Sequence, residues 1–92
     1  MRTHLAALLS LMVIAGCAAG PGTVVKGAGP AELLKLREGP GLNYRIILGL
    51  PDGTRLTRHD CVTKAGKRWC RVSLAAKPGV SGYVSADYLS ES

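Results

Sequence analysis

Beyond residue 30 the apolar positions fall in short runs separated by turns. Residues 34–37, Leu-Lys-Leu-Arg, alternate apolar and polar, the period of a half-buried strand. Residues 46–50 form an apolar run that Pro51-Asp52-Gly53 closes. Residues 54–63 and 68–74 read as two strands flanking Lys64-Ala65-Gly66-Lys67, and residues 82–85 as a short last strand before Tyr88-Leu89. Pro40-Gly41 suits the centre of a type II turn, with proline fixing φ and glycine supplying φ > 0, and Lys77-Pro78-Gly79 marks a further turn. No long stretch carries helical periodicity. Short strands with a turn every eight to twelve residues predict a small all-β barrel or sandwich.

The register around Ala65-Gly66 has a chemical consequence. With those two residues as a hairpin loop, Lys64 faces Lys67, Val62 faces Trp69, and Cys61 faces Cys70 in a non-hydrogen-bonded pair. Cα atoms there lie about 4.5 Å apart, within disulfide reach. Ala65 disfavours the positive φ of such a loop. A three-residue loop with Gly66 left-handed instead sets Cys61 opposite Trp69. A disulfide outranks metal binding, because two cysteines with only His59 nearby do not complete a tetrahedral site. No metal and no cofactor are expected.

The amino terminus has a different grammar. Arg2 and His4 precede a ten-residue apolar run over residues 5–14, followed by small residues, as in an export signal. A run of that length falls short of the roughly 20 apolar residues that span a bilayer. Ile14-Ala15-Gly16-Cys17 resembles the bacterial lipoprotein lipobox. The resemblance implies diacylglycerol on the Cys17 sulfur, cleavage before Cys17, and a membrane anchor of two or three acyl chains, enough for stable attachment. Ala18 at the next position resembles the sorting pattern for the outer membrane, so the expected place is the cell envelope, lipid-anchored and facing the periplasm. Residues 18–30 are nine-thirteenths Gly, Ala or Pro, a composition that predicts a flexible tether. The expected organisation is a signal peptide over 1–16, acylated cysteine and linker over 17–30, and one domain over 31–92.

Cleavage removes one cation of twelve and no acid, so the net charge of +6 becomes +5. A small cationic domain in the envelope meets anionic polymers more readily than nucleic acid, and no nucleic-acid partner is expected. Export to an oxidising compartment agrees with the disulfide. Catalysis has little support: His59 sits mid-strand beside Asp60, the acids Glu32, Glu38, Asp52, Asp60, Asp87 and Glu91 are scattered, and no Ser-His-Asp pattern has a recognisable context.

Several motifs stand in a telling order. Residues 34–40, Leu-Lys-Leu-Arg-Glu-Gly-Pro, are followed by Tyr44, Asp52-Gly53-Thr54, Trp69-Cys70-Arg71-Val72, and Gly82-Tyr83-Val84 with Tyr88-Leu89. Over residues 34–89 the chain resembles a bacterial SH3 domain, with Tyr83 where tryptophan is usual and two cysteines outside the general pattern. The resemblance implies a five- to six-stranded SH3-like barrel that binds rather than catalyses. Many members bind cell-wall peptides and others bind proteins, so the expected partner is peptidoglycan, its peptide stems, or an envelope protein; the chain is expected to be a monomer.

The only aromatic residues, Tyr44, Trp69, Tyr83 and Tyr88, are the candidate recognition set, since an apolar ring with a polar tip suits a binding surface. Trp69 and Tyr44 read equally as groove or core, and Tyr88 as core or a barrel-closing residue. Either Tyr83 or Val84 faces outward. Arg37 and Arg71 are the candidate partners for ligand carboxylates at the rim, because a guanidinium matches a carboxylate in two hydrogen bonds. The candidate ligand set is thus Tyr44, Trp69, Tyr83, Arg37 and Arg71.

Overall fold

The computed structural model describes residues 21–90; the lipobox, with Cys17, lies outside the described residues. Six strands follow one another: β1 (Gly22–Val24), β2 (Leu34–Arg37), β3 (Ile46–Leu50), β4 (Arg55–Lys64), β5 (Lys67–Leu74) and β6 (Ser81–Ser85). A one-turn 3-10 helix, Ala86–Tyr88, comes after β6. They form a single antiparallel sheet in the order β1-β4-β5-β6-β2-β3, bent into a half-barrel. The fold is all-β, as the pattern of short apolar runs predicts.

One residue in two points inward, and the core is small. Leu34 and Leu36 alternate into it from β2, Cys70 and Val72 from β5, and Val84 from β6; Leu50, Leu56, Val25 and Leu89 complete it. Leu36, Cys70, Val72 and Val84 are wholly buried. Alternation also decides the open question at the last strand: Val84 is the core residue and Tyr83 faces outward.

The β4–β5 hairpin turns on residues 65 and 66. Lys64 pairs with Lys67, Thr63 with Arg68, Val62 with Trp69, and Cys61 with Cys70. Ala65 has φ 51° and Gly66 φ 79°, so both loop residues are left-handed, as a primed two-residue turn requires. Ala65 is the only non-glycine residue with positive φ among those described. The cross-strand pairing places the Cys61–Cys70 disulfide where the two-residue loop predicts, with an S–S bond of 2.01 Å. Beyond it the ladder is bulged. His59 and Asp60 together stand opposite Arg71, and Asp60 accepts a hydrogen bond from Arg71 Nε at 2.9 Å.

Two expectations are corrected. Within the segment over 18–30, expected as a free tether, Gly22–Val24 form a strand of the sheet and Val25 a bridge next to it. Gly22, Thr23 and Val24 pair with Thr57, Leu56 and Arg55, and the Pro21 carbonyl accepts from the Arg58 amide at 2.8 Å. Val25 is buried and bridges Leu89, while Ser90 N–H donates to the Val24 carbonyl at 2.9 Å. The reason is local. Thr23, Val24 and Val25 are three consecutive β-branched residues, and alternation buries Thr23 and Val25; the surrounding Gly and Ala conceal this short strand in an averaged composition.

The second correction concerns Pro40-Gly41. Gly41 is not left-handed; the described glycines with positive φ are Gly27, Gly29, Gly53 and Gly66. The turn lies further on, where Tyr44 N–H donates to the Gly41 carbonyl at 3.3 Å. Glycine leaves room here for the Asn43 side chain, which is exposed and free to turn aside. A Cβ on Gly41 would come within 2.9 Å of Asn43 Oδ1. By contrast the turn at residues 51–54 has Gly53 at φ 92° and a Thr54 N–H to Pro51 carbonyl bond of 3.1 Å.

Candidate functional site

Two grooves meet at one tryptophan. The first, of about 280 Å³, runs between the loop at Gly27 and Ala28, β2, and the 3-10 helix, with Leu33, Lys35, Arg37 and Tyr88 in its walls. The second, of about 570 Å³, lies between the loop over 40–44 and the β4–β5 hairpin tip, with Pro40, Tyr44, Lys64 and Lys67 at its sides. Trp69 and Leu42 line both. Trp69 is only 5% exposed and forms the floor, whereas Leu42, at 75%, stands up from the surface beside it.

Strand alternation puts Trp69 there. Its neighbours Cys70 and Val72 anchor β5 to the core, so Trp69 belongs to the opposite face, flanked by Val62 on β4 and Ser85 on β6. The choice between groove and core has a mixed answer: the indole is buried, and what buries it is the wall of the grooves. Tyr44 is 40% exposed and lines the second groove. Tyr88, expected in the core or closing the barrel, is 38% exposed and forms a wall of the first groove. The helix Ala86–Tyr88, capped by Ser85 Oγ accepting from Asp87 N–H at 3.4 Å, turns it outward.

The loop over 39–45 is held from beneath. Arg37 Nη1 donates to the Leu42 carbonyl at 3.2 Å and to the Tyr44 carbonyl at 3.0 Å, so much of its hydrogen-bonding capacity goes to positioning the two residues that line the grooves. On the other wall Asp52 accepts from the amides of Ala28 and Gly29 at 2.9 and 3.1 Å and fixes the 27–29 loop. Lys67 Nζ donates to Asp87 at 2.9 Å, and this hydrogen bond, with the attraction of the same carboxylate, raises the Lys67 pKa above its ordinary value.

Of the candidate ligand residues, the grooves bring together Trp69, Tyr44 and Arg37. Tyr83 and Arg71 lie outside both. They are cross-strand neighbours, with Arg37 on the other side of Tyr83, so the three form a row across β2, β6 and β5. The Arg71 guanidinium is engaged by Asp60.

Sequence reading did not single out Leu42, Leu33, Lys35 or Asp52. Leu42 carried a usable signal, as an apolar residue inside Gly-Pro-Gly-Leu-Asn, a segment otherwise made of turn residues. Lys35, Arg37, Lys64 and Lys67 line the grooves together with Glu32, and of these cations Lys67 is paired with Asp87. Such a surface matches an extended ligand that carries carboxylates and some apolar area.

His59 Nε2 lies 2.9 Å from Ser73 Oγ, but Ser73 is buried, and the neighbouring Asp60 is held by Arg71. Among the described residues no three His, Cys, Asp or Glu are grouped to hold a metal ion. Residues 32–90, more than half of the chain, match the family model of the bacterial SH3 domain. No match was found among curated proteins or solved structures.

Proposed function

The chain belongs to the bacterial SH3 domain family, and on that premise we propose that it is a non-catalytic envelope lipoprotein whose paired grooves bind peptidoglycan through its peptide stems. Anchoring is through acyl chains on Cys17, and the place of action is the periplasmic face of the outer membrane. The observation that supports the binding reading best is Trp69, buried as a common floor under Leu42, Tyr44 and Tyr88, with four cations around it. Aromatic rings on a rigid floor supply contact area at little entropic cost, and the cations suit the carboxylates of a stem peptide.

Retention of the soluble fragment 18–92 on purified peptidoglycan tests this. Binding that survives about 0.3 M salt supports groove recognition, because bare charge attraction is then screened within several Å. Loss of all retention at that salt defeats it.

A second reading is a protein partner in an envelope assembly. It is favoured by Ile46 and Ile47, 46% and 41% exposed on β3, an outer strand of the sheet with one unpaired edge. Competition separates the two, since soluble stem peptides release the chain from peptidoglycan but not from a partner held on β3.

A further inference from the structure

Incorporation of Gly22–Val24 into the sheet changes how the domain sits relative to its anchor. Only residues 18–21 separate Cys17 from β1. Five Cα-to-Cα steps reach at most about 18 Å in any conformation. Gly22, where the edge formed by β1 and the first half of β4 begins, therefore stays within that distance of the acylated cysteine, and the edge is fixed in place by buried Val25 and by the Arg58 N–H donating to the Pro21 carbonyl.

This edge is cationic, bordered by two acids that are engaged elsewhere: Asp52 accepts from the Ala28 and Gly29 amides, and Asp60 from Arg71. Residues 21–28 and 53–59 carry Lys26, Arg55 and Arg58 and no acid. Arg55 is exposed and pairs with Val24 on the side of the sheet away from the core, and Lys26 follows in the same alternation; Arg58, half-buried next to Pro21, alternates in step with Leu56 and reaches the same edge from the other side of β4. None of the three lines a groove or forms an ion pair among the described residues.

We propose that the β1–β4 edge is a lipid-headgroup face: the domain is seated on its own bilayer, with Lys26, Arg55 and Arg58 against anionic phosphates. The inference rests on acylation of Cys17. The attraction acts over about a Debye length, roughly 8 Å at physiological salt, which the short tether brings within reach. The hairpin tip, with Lys64 and Lys67, lies six residues beyond Arg58 along β4, about 20 Å of extended strand, and stays free for the ligand.

The test uses the acylated full-length lipoprotein in nanodiscs doped with a gadolinium-headgroup lipid, and reads amide broadening by NMR. With phosphatidylglycerol present, the amides of Thr23, Arg55 and Arg58 should broaden several-fold more than those of Lys64 and Ala65. In phosphatidylcholine alone, with the same anchor, that contrast should fall to the part that the short tether imposes, as it should for the Arg55→Gln/Arg58→Gln double variant. Lys64→Gln/Arg68→Gln, which removes equal charge at the hairpin tip, should retain it. An acylated protein whose broadening is the same in both lipids overturns the seating and leaves the lipoprotein reading standing. A purified protein without acyl mass on Cys17 overturns that reading and the seating with it.

Discussion

The ring of Tyr44 lies flat against the backbone of Gly39, so closely that a Cβ at residue 39 would stand 2.7 Å from the ring's Cγ. Gly39 is buried although it occupies a surface loop, because the tyrosine covers it. Gly39→Ala must push the ring off its seat. Overpacking of this kind costs about 1–3 kcal/mol, and the displaced ring opens the second groove. The expected outcome is a lower melting temperature together with weaker retention on peptidoglycan.

Leu42 and Trp69 should separate binding from stability. Leu42 is largely exposed, so Leu42→Ala is expected to leave the melting temperature within a few degrees while weakening binding about tenfold. Trp69→Ala removes a buried indole and should cost about 3–5 kcal/mol of stability. Thermal melts and peptidoglycan retention per folded molecule check both.

Arg37 acts through the loop it holds. Arg37→Lys keeps the charge but loses the planar fork that reaches the Leu42 and Tyr44 carbonyls. Binding should fall as far as in Arg37→Ala, because the geometry of the loop matters more than the charge. If the lysine variant binds like wild type, Arg37 serves as a ligand cation instead.

The disulfide closes a loop of nine residues' separation, worth about 2.5–3 kcal/mol in the chain-entropy model. Reduction should therefore lower the melting temperature by more than about ten degrees, at 4–8 °C per kcal/mol for a domain of this size. Mass spectrometry without reductant should find Cys61 joined to Cys70 in one molecule.

The pairing of Lys67 with Asp87 raises the lysine pKa. A group whose folded pKa lies above its unfolded value contributes stability that is fully present below the unfolded value and is lost as pH rises through the folded one. Wild type should thus lose its small advantage over Lys67→Met on the alkaline side, in parallel melts across that range. The pair is exposed, so the effect is small.

The family match begins at residue 32, yet the core takes Val25 and the sheet takes β1. A fragment beginning at residue 32 leaves Leu56 without its β1 neighbour and Leu89 without its bridge to Val25. Such a fragment is expected to lose cooperative unfolding by circular dichroism, whereas one beginning at residue 18 keeps it.

Local rules made much of this fold legible. Two-residue alternation marked β2 as Leu34–Arg37, a bounded apolar run marked β3, and counting outward from Ala65-Gly66 paired Cys61 with Cys70. Each depends only on neighbours in the chain or across one tight turn, where geometry leaves few choices. Groove membership does not. Tyr88 and Trp69 are separated by 19 positions, and Gly27 by 42 from Trp69, yet they line one groove because β5, the 3-10 helix and the 27–29 loop converge. Likewise Thr23-Val24-Val25 is too short to fold alone; it becomes a strand because β4 offers an unpaired edge and the core has room for Val25. Local sequence marked β2 to β6 and two possible hairpin registers, since those are decided over a few residues; the two-residue loop that pairs Cys61 with Cys70 is the one the structure adopts. Which aromatic residues make a floor, which arginine is spent on a loop, and that Thr23-Val24-Val25 becomes a strand were decided by contacts between segments far apart in sequence.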